Sequence, residues 1–350
     1  MAEQTVPQFK VLVGGGPLPL EAEVDVMSAT VSQYVDGADV FTLEINNWDS
    51  KLQQFKWTDS DQFAPGREAE VRVGYLDDLK SLIKGEITAL EPEFHKEKAP
   101  TLKAQGYDRL HRFRRGRNTR SFVDMKDSEV AAQMARELGL RSEVTDTRVV
   151  HPYLFQNNQT NIDFLQERGR RIRFELDVQD RTLIFRPAAN DRGRVVSMSF
   201  GEKLTSFYPR LTTMKQVSEV VVQSWNPKEK SVIVGRARAG DETGAMEGSV
   251  SGPALAEDAF GASKTFVVNH ILYSAQEAEQ IAKAKYNHLA IDFVTGEGTA
   301  IGNPELAAGQ VVELAKLGRS FSGLYYLTSV THVIRRQGYL THFCVQRNSK

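Results

Sequence analysis

Apolar and polar positions alternate with period two from the N-terminus to about residue 120, the pattern of strands with one buried face. In the segment Asp39 to Asn46, Phe41, Leu43 and Ile45 share one side, and Val40, Thr42 and Glu44 the other. Val71, Val73 and Tyr75 alternate with Glu70, Arg72 and Gly74 in the same way. Phe9 to Val13 predicts a short strand closed by the turn Gly14-Gly15-Gly16-Pro17, and Gly85 to Leu90 and Thr101 to Gly106 predict two more. Short strands spaced by turn residues point to a sandwich or a barrel.

The period changes between residues 123 and 198. Val130, Met134, Ala135 and Leu138 form a helical stripe over Asp127 to Leu138, with Asp127 as the expected N-cap and Gly139 after the last turn. A second helix is expected near Thr160 to Arg168, where Thr160 and Asp163 resemble a capping box. Strands at Arg173 to Val178 and Thr182 to Arg186 complete a small α+β unit. From Leu211 the strand pattern returns: a hairpin of Val217 to Trp225 and Ser231 to Gly235 turns at Asn226-Pro227-Lys228. Residues 239–263, poor in apolar side chains, predict an exposed loop. Ser274 and Glu277 open a helix through Leu289, and strands follow at Val311 to Leu317, Leu324 to Arg335 and Tyr339 to Arg347.

A weak internal repeat links the two β regions. Gly66 precedes the strand Ala69 to Tyr75, Gly85 opens a longer one, and Thr101 lies in the next; Gly309, Gly323 and Thr341 follow the same order near the C-terminus. The expected fold is therefore mainly β: two related β-barrel domains, residues 1–122 and 200–350, with an α+β insert over 123–199. The second domain carries the loop 239–263 and the helix 274–289.

Composition adds mostly exclusions. The chain has 350 residues, 41% of them hydrophobic and 25% charged, with a formal net charge of −1, so it is not built as a whole to bind nucleic acid or an acidic membrane. Its one cysteine, Cys344, forms no intrachain disulfide and reads as a small buried apolar residue. No signal peptide and no apolar run of membrane-spanning length is present. The seven histidines have no metal-ligand spacing; His332 and His342, close across a hairpin, read as ordinary strand residues. There is no phosphate-binding loop and no nucleophile elbow. No catalytic, cofactor or metal residue is expected.

The one strong local feature is basic. Arg109, Arg112, Arg114, Arg115, Arg117 and Arg120 fall within twelve residues, and Arg168, Arg170 and Arg171 form a second cluster at the far side of the insert. Arginine with an aromatic neighbour, here Phe113, suits phosphate backbones. It equally suits a subunit interface or domain junction, where the planar guanidinium pairs with carboxylates, and two clusters flanking one insert favour that reading.

Several motifs carry a family resemblance over nearly the whole chain. Thr160-Asn161-Ile162-Asp163-Phe164-Leu165, Ser224-Trp225-Asn226-Pro227, and the series from Gly296 through Gly302-Asn303-Pro304 and Gly309 to Phe321-Ser322-Gly323 and His332 resemble the phage late control gene D family. These are the hub proteins of contractile tails, similar also to the N-terminal hub portion of VgrG-type spike proteins. The resemblance implies two tail-tube-like barrels per chain. It implies a homotrimer whose pseudo-sixfold ring joins a hexameric tail tube to a trimeric spike. Implied partners are the spike, a tail tube or tube-initiator protein and baseplate wedge proteins, with no membrane and no nucleic acid beyond passage through the lumen. Assembly in the bacterial cytoplasm, and a place in a virion tail or injection particle, follow from the same resemblance. VgrG-type proteins continue into a further barrel and a β-helical needle; this chain ends at Lys350, so the spike is expected to be a separate polypeptide. The alternative left open is a nucleic-acid- or carbohydrate-binding β module using Arg109 to Arg120.

Overall fold

The structure, a computed structural model, describes residues 6–350 apart from 77, 227, 228, 245, 247, 269, 270 and 337. Its first strands are β1 (Pro7–Val13), β2 (Val26–Tyr34), β3 (Val40–Asn46), β4 (Glu68–Tyr75), β5 (Asp78–Glu93) and β6 (Thr101–Asp108). Gly85, expected to open a strand, lies in the middle of β5, whose 16 residues make it the longest strand. The middle of the chain holds β7 (Asn118–Lys126), α1 (Asp127–Glu137), β8 (Arg141–Val144), β9 (Val150–Gln159), α2 (Asn161–Ile172), β10 (Phe174–Gln179) and β11 (Thr182–Pro187). After it come β12 (Val196–Ser199), β13 (Leu204–Leu211), β14 (Glu219–Asn226), β15 (Ser231–Arg238), α3 (Gly252–Phe260), β16 (Lys264–Val267) and α4 (Ala275–Ile291). The chain closes with β17 (Val294–Ile301), β18 (Val311–Ala315), β19 (Gly323–Arg335) and β20 (Gly338–Arg347).

The fold is mainly β, with a large antiparallel sheet in the order β13-β17-β20-β19-β2-β3-β6-β5-β4-β1, with β18 also on β19 and β12 on β18. It curls around two cores, because strands far apart in this order contribute to one apolar cluster. Val11 of β1, Val31 of β2, Phe41 of β3, Val71 of β4 and Leu102 of β6 pack together in the first; Met198, Leu204, Val312, Leu327 and Val345 pack in the second. Ile334 and Tyr339 from the second half complete the first core, so the two halves of the sheet are fused along the β19–β2 seam.

Two smaller layers flank this sheet. In the insert, α1 and α2 cover the sheet β8-β11-β10 around Met134, Phe164, Leu165 and Phe185. The predicted helices form: Thr160 Oγ1 accepts from the Asp163 amide at 3.1 Å, and Gly139 takes φ +70° after α1. The N-cap of α1 is Lys126, not Asp127, which is buried for another purpose. Between β13 and β17 a second unit appears: β15-β14-β16, packed on α4 through Val220, Val222, Ala278 and Tyr286. The predicted β14–β15 hairpin belongs there; its turn residues Pro227 and Lys228 lie outside the described residues. The stretch 239–263, expected as an open loop, carries α3, capped by Ser251, whose Oγ accepts from the Ala254 amide.

Candidate assembly interface

The internal repeat reaches to hydrogen-bond detail. In the first half, β2-β3-β6-β5-β4 are neighbours in that order; in the second, β13-β17-β20-β19-β18. Each half has a one-residue register shift at the same place on its long strand, between Ile87 and Ala89 against β6 and between Leu327 and Ser329 against β20. A second shift recurs between Val26 and Ser28 of β2 and between Leu204 and Ser206 of β13. The glycine turns match too. The Gly66 amide donates to the Ile87 carbonyl at 2.8 Å, and the Ile87 amide to Arg67 at 2.9 Å; Gly309, Leu327 and Gln310 repeat both bonds at the same lengths. Shared bulges are specific features of strand pairing. Chance likeness between β segments does not reproduce them together.

The halves differ in what meets the outer part of the long strand. In β19, Ser329 to Arg335 pairs with β2, Arg335 opposite Ser28 and Ser329 opposite Tyr34. Its counterpart in β5, beginning at Ala89, has β6 on one side and, among the described residues, no strand on the other, since β4 reaches only to Glu86. The counterpart of β2 is β13, at the end of the sheet order and, among the described strands, paired with β17 alone. Besides the terminal strands β1 and β12, each half of the sheet thus leaves one edge without a strand partner among the described residues, and these two edges are complementary.

Most of the basic segments are committed within the chain. The short turn Arg109–Arg114 is capped by Asp108, whose Oδ1 accepts from the Leu110 amide at 2.8 Å. Arg109, 3% exposed, bridges Glu68 at 2.6 Å and Asp180 at 2.8 Å, joining β4 to the β10–β11 turn. Arg112 and His111 both bind Glu86, the latter at 2.8 Å. Arg120 pairs with Glu137 at 2.8 Å and lies over the Phe122 ring, and Arg117 donates to the Asn158 carbonyl. Arg171 pairs with Glu167 at 2.6 Å, and Arg170 reaches Gln166 at 3.4 Å. Arg114 and Arg115 stand exposed beside Arg117.

Arg168 belongs to a buried cluster that sequence reasoning missed. Its guanidinium holds Asp127 at 2.6 and 3.1 Å, His151 of β9 lies 3.1 Å from Asp127, and Glu277 of α4 lies 3.4 Å from the other ring nitrogen. Burial alone would raise the Asp127 pKa, but His151 and Arg168 bring it down to about 2. Burial would lower that of His151, and the two carboxylates outweigh it upward. Four segments are pinned here, including both small layers. The capping role of Ser274 is met as expected, its Oγ accepting from the Glu277 amide at 3.1 Å.

The other candidates are structural. His332 is fully buried, bonded to the Leu306 carbonyl and the Tyr339 hydroxyl, and burial pushes its pKa down to about 4; His342 points to the opposite face, beside Thr299. Cys344 is half-buried on the face away from the core, contrary to the buried position expected of it. Among the described residues no group of three or more His, Cys, Asp or Glu is placed to hold a metal ion, and no helix is long and apolar enough to cross a membrane.

Residues 3–336 match the family model described as the Alg8 N-terminal domain. The chain belongs to that family. The motif resemblance to the late control gene D family is a separate one. No curated protein matches. Among solved structures, the 43 kDa tail protein of prophage MuSo2 from Shewanella oneidensis aligns with a TM-score of 0.72 at 13% identity, over 97% of this chain and 98% of that one. A tail protein from Neisseria meningitidis aligns at 0.69 and 12% identity, over 98% and 97%. An Escherichia coli component of the type VI secretion system aligns at 0.63 and 10%, over 97% of this chain and 77% of that one. At these identities the likeness is one of fold, and the fold is that of phage tail proteins and their secretion-system relatives.

Proposed function

We propose that the chain is the structural hub of a contractile phage tail or contractile injection baseplate, as its motif resemblance to the late control gene D family implies. Three copies form a pseudo-sixfold ring that joins the hexameric tail tube to the trimeric spike. The observation that carries this reading is the duplicated sheet with one internal seam and two unmatched edges. Each chain supplies two equivalent barrels already joined side by side, and a ring of such pairs covers both unmatched edges. The barrels are assigned to residues 1–122 and 200–350, with 123–199 as the insert. A separate spike protein, a tube or tube-initiator protein and baseplate wedge proteins are the partners; the exposed Arg114, Arg115 and Arg117 offer them a basic contact. The particle assembles in the bacterial cytoplasm, and the hub carries out no reaction. Nucleic-acid binding through Arg109 to Arg120 is disfavoured, since Arg109, Arg112 and Arg120 are held by carboxylates.

Native mass spectrometry and electron microscopy of the purified chain, alone and with tube and spike proteins from its own locus, test this. A closed trimer that caps a tube end is the expected result; a chain that stays monomeric with all partners present overturns it.

A further inference from the structure

The repeat fixes a register for contact between copies. Resting on the ring reading above, we infer that β5 of one copy pairs antiparallel with β13 of the next, Glu91 opposite Arg210 and Leu90 opposite Leu211. The bulges equate Ala89 with Ser329, and hence Leu90, Glu91 and Phe94 with Val330, Thr331 and Ile334. On the other strand they equate Ser206 with Ser28, and hence Phe207, Arg210 and Leu211 with Ala29, Ser32 and Gln33. Within the chain, Thr331 lies opposite Ser32, Val330 opposite Gln33 and Ile334 opposite Ala29. Transferring those pairs sets Glu91 against Arg210, Leu90 against Leu211 and Phe94 against Phe207.

The chemistry of these pairs is complementary. Glu91 and Arg210 are both exposed, of opposite charge, and neither has an ion-pair partner among the described residues. They stand where Ser32 and Thr331 bring their hydroxyl oxygens to 3.0 Å within the chain, on the face away from the cores. Leu90 packs partly on the first core and Leu211 partly on the second, so their meeting would continue one core into the other between copies. Ile334 does the same inside the chain. Opposite charges and apolar pairs directly across antiparallel strands are stabilising. One rung is weaker: Pro92 falls opposite Pro209, so neither strand offers an amide there. Proline is tolerated on edge strands, and its presence on both limits pairing with unrelated strands.

The test is disulfide cross-linking of the full chain in a Cys344→Ala background. Glu91→Cys with Arg210→Cys should give covalent trimers under oxidation, whereas either single substitution and the off-register pair Glu93→Cys with Arg210→Cys should not. As a second measurement, Glu91→Arg should lower the trimer fraction at least tenfold at moderate protein concentration, and adding Arg210→Glu should restore it. A trimer that forms without the 91–210 cross-link, or charge variants with no effect on assembly, overturns this register and leaves the ring standing. A chain that stays monomeric throughout overturns both.

Discussion

The first and second halves of the great sheet share strand order, bulges and turns, yet they meet their surroundings differently. The long strand of the second half is covered along its outer part by β2 of the same chain; that of the first half is bare. Duplication supplies two copies of one edge and two copies of its complement, and a single chain can satisfy only one pair. The unmatched pair is then a feature of the topology rather than of any one residue. The difference between the halves is what turns a folded monomer into a building block.

The comparison breaks most visibly at equivalent positions across the two edges. Ile334, 1% exposed, sits inside the first core at the internal seam, and its counterpart Phe94 is 59% exposed. Ile334→Ala should destabilise the chain by about 2–5 kcal/mol, as large-to-small core changes do. Phe94→Ala loses only an exposed edge contact with the Phe55 ring, at 5.0 Å between centroids, and should cost at most about 1 kcal/mol. Denaturant titration of the isolated chain reads the first effect, and trimer formation reads the second. Equal destabilisation by both substitutions would mean that the two edges are not distinguished by burial as described.

How much of this was open to sequence reasoning depends on what each segment must satisfy. Strands such as β3 and β4 show clean alternation because one face is buried and the other wet. The strand β2 is harder to read, since a bulge between Val26 and Ser28 breaks its period and its core face beyond that bulge carries only the small Ala29 and Val31. The segment of β17 looks like a glycine loop, but its glycines make room for rings: a Cβ at Gly296 would lie 2.7 Å from Phe207, and one at Gly298 2.4 Å from Phe343. Asp127 reads as a cap because caps and buried salt-bridge carboxylates use the same residue type, and only its distant partners, Arg168 and His151, decide between them. The helix α3 hides in a stretch with few apolar residues because it buries only Gly252, Pro253 and Ala256. Strand partnership, which makes the seam and the edges, is not a local property, and periodicity cannot encode it.

A subtler contrast lies where each half is tied to the insert. Glu86 and Tyr326 are equivalent positions, and each faces the insert side of its strand. Glu86 is held by Arg112 and His111; Tyr326 donates its hydroxyl to Glu175 of β10. Burial alone would raise the Glu86 pKa, but its hydrogen bonds with Arg112 and His111 hold it below its ordinary value, so its contribution is present at neutral pH and lost as pH falls through that lowered value. Burial pushes Glu175 from 4.5 up to about 7 against the hydrogen bond from Tyr326. The folded chain then holds a proton that the unfolded chain lacks between those values, so this contribution falls as pH rises. Asp108, raised by burial to about 7, acts in the same direction. His332, held down to about 4 by burial, acts the other way below its ordinary value of 6.5. The two carboxyls therefore set the decline of wild-type stability most plainly from about pH 6.5 through pH 7, and Glu175→Gln should flatten the profile there by at most about 1.4 kcal/mol per pH unit. Glu86→Gln should leave the decline in place and remove part of the loss on the acid side. Unfolding midpoints across pH check both, and an unchanged slope in Glu175→Gln would show that the second tether does not carry it.

The smallest effect tests the equivalence of the halves most cleanly. Gly66 and Gly309 occupy the same turn with φ of +91° and +78°, a backbone region that disfavours side chains. A Cβ on Gly66 meets nothing within 4 Å, and one on Gly309 meets only ordinary contacts, the nearest being the Arg186 guanidinium at 3.5 Å. Space therefore does not distinguish the two positions, and only the backbone term remains. Gly66→Ala and Gly309→Ala should each destabilise by about 1 kcal/mol. The double variant should show the sum, because the two turns share no partner. The decisive quantity is the match between the two single values rather than their size. If one turn tolerated alanine freely and the other did not, the two glycines would not be performing the same task, and the register carried from one half to the other would lose its starting point.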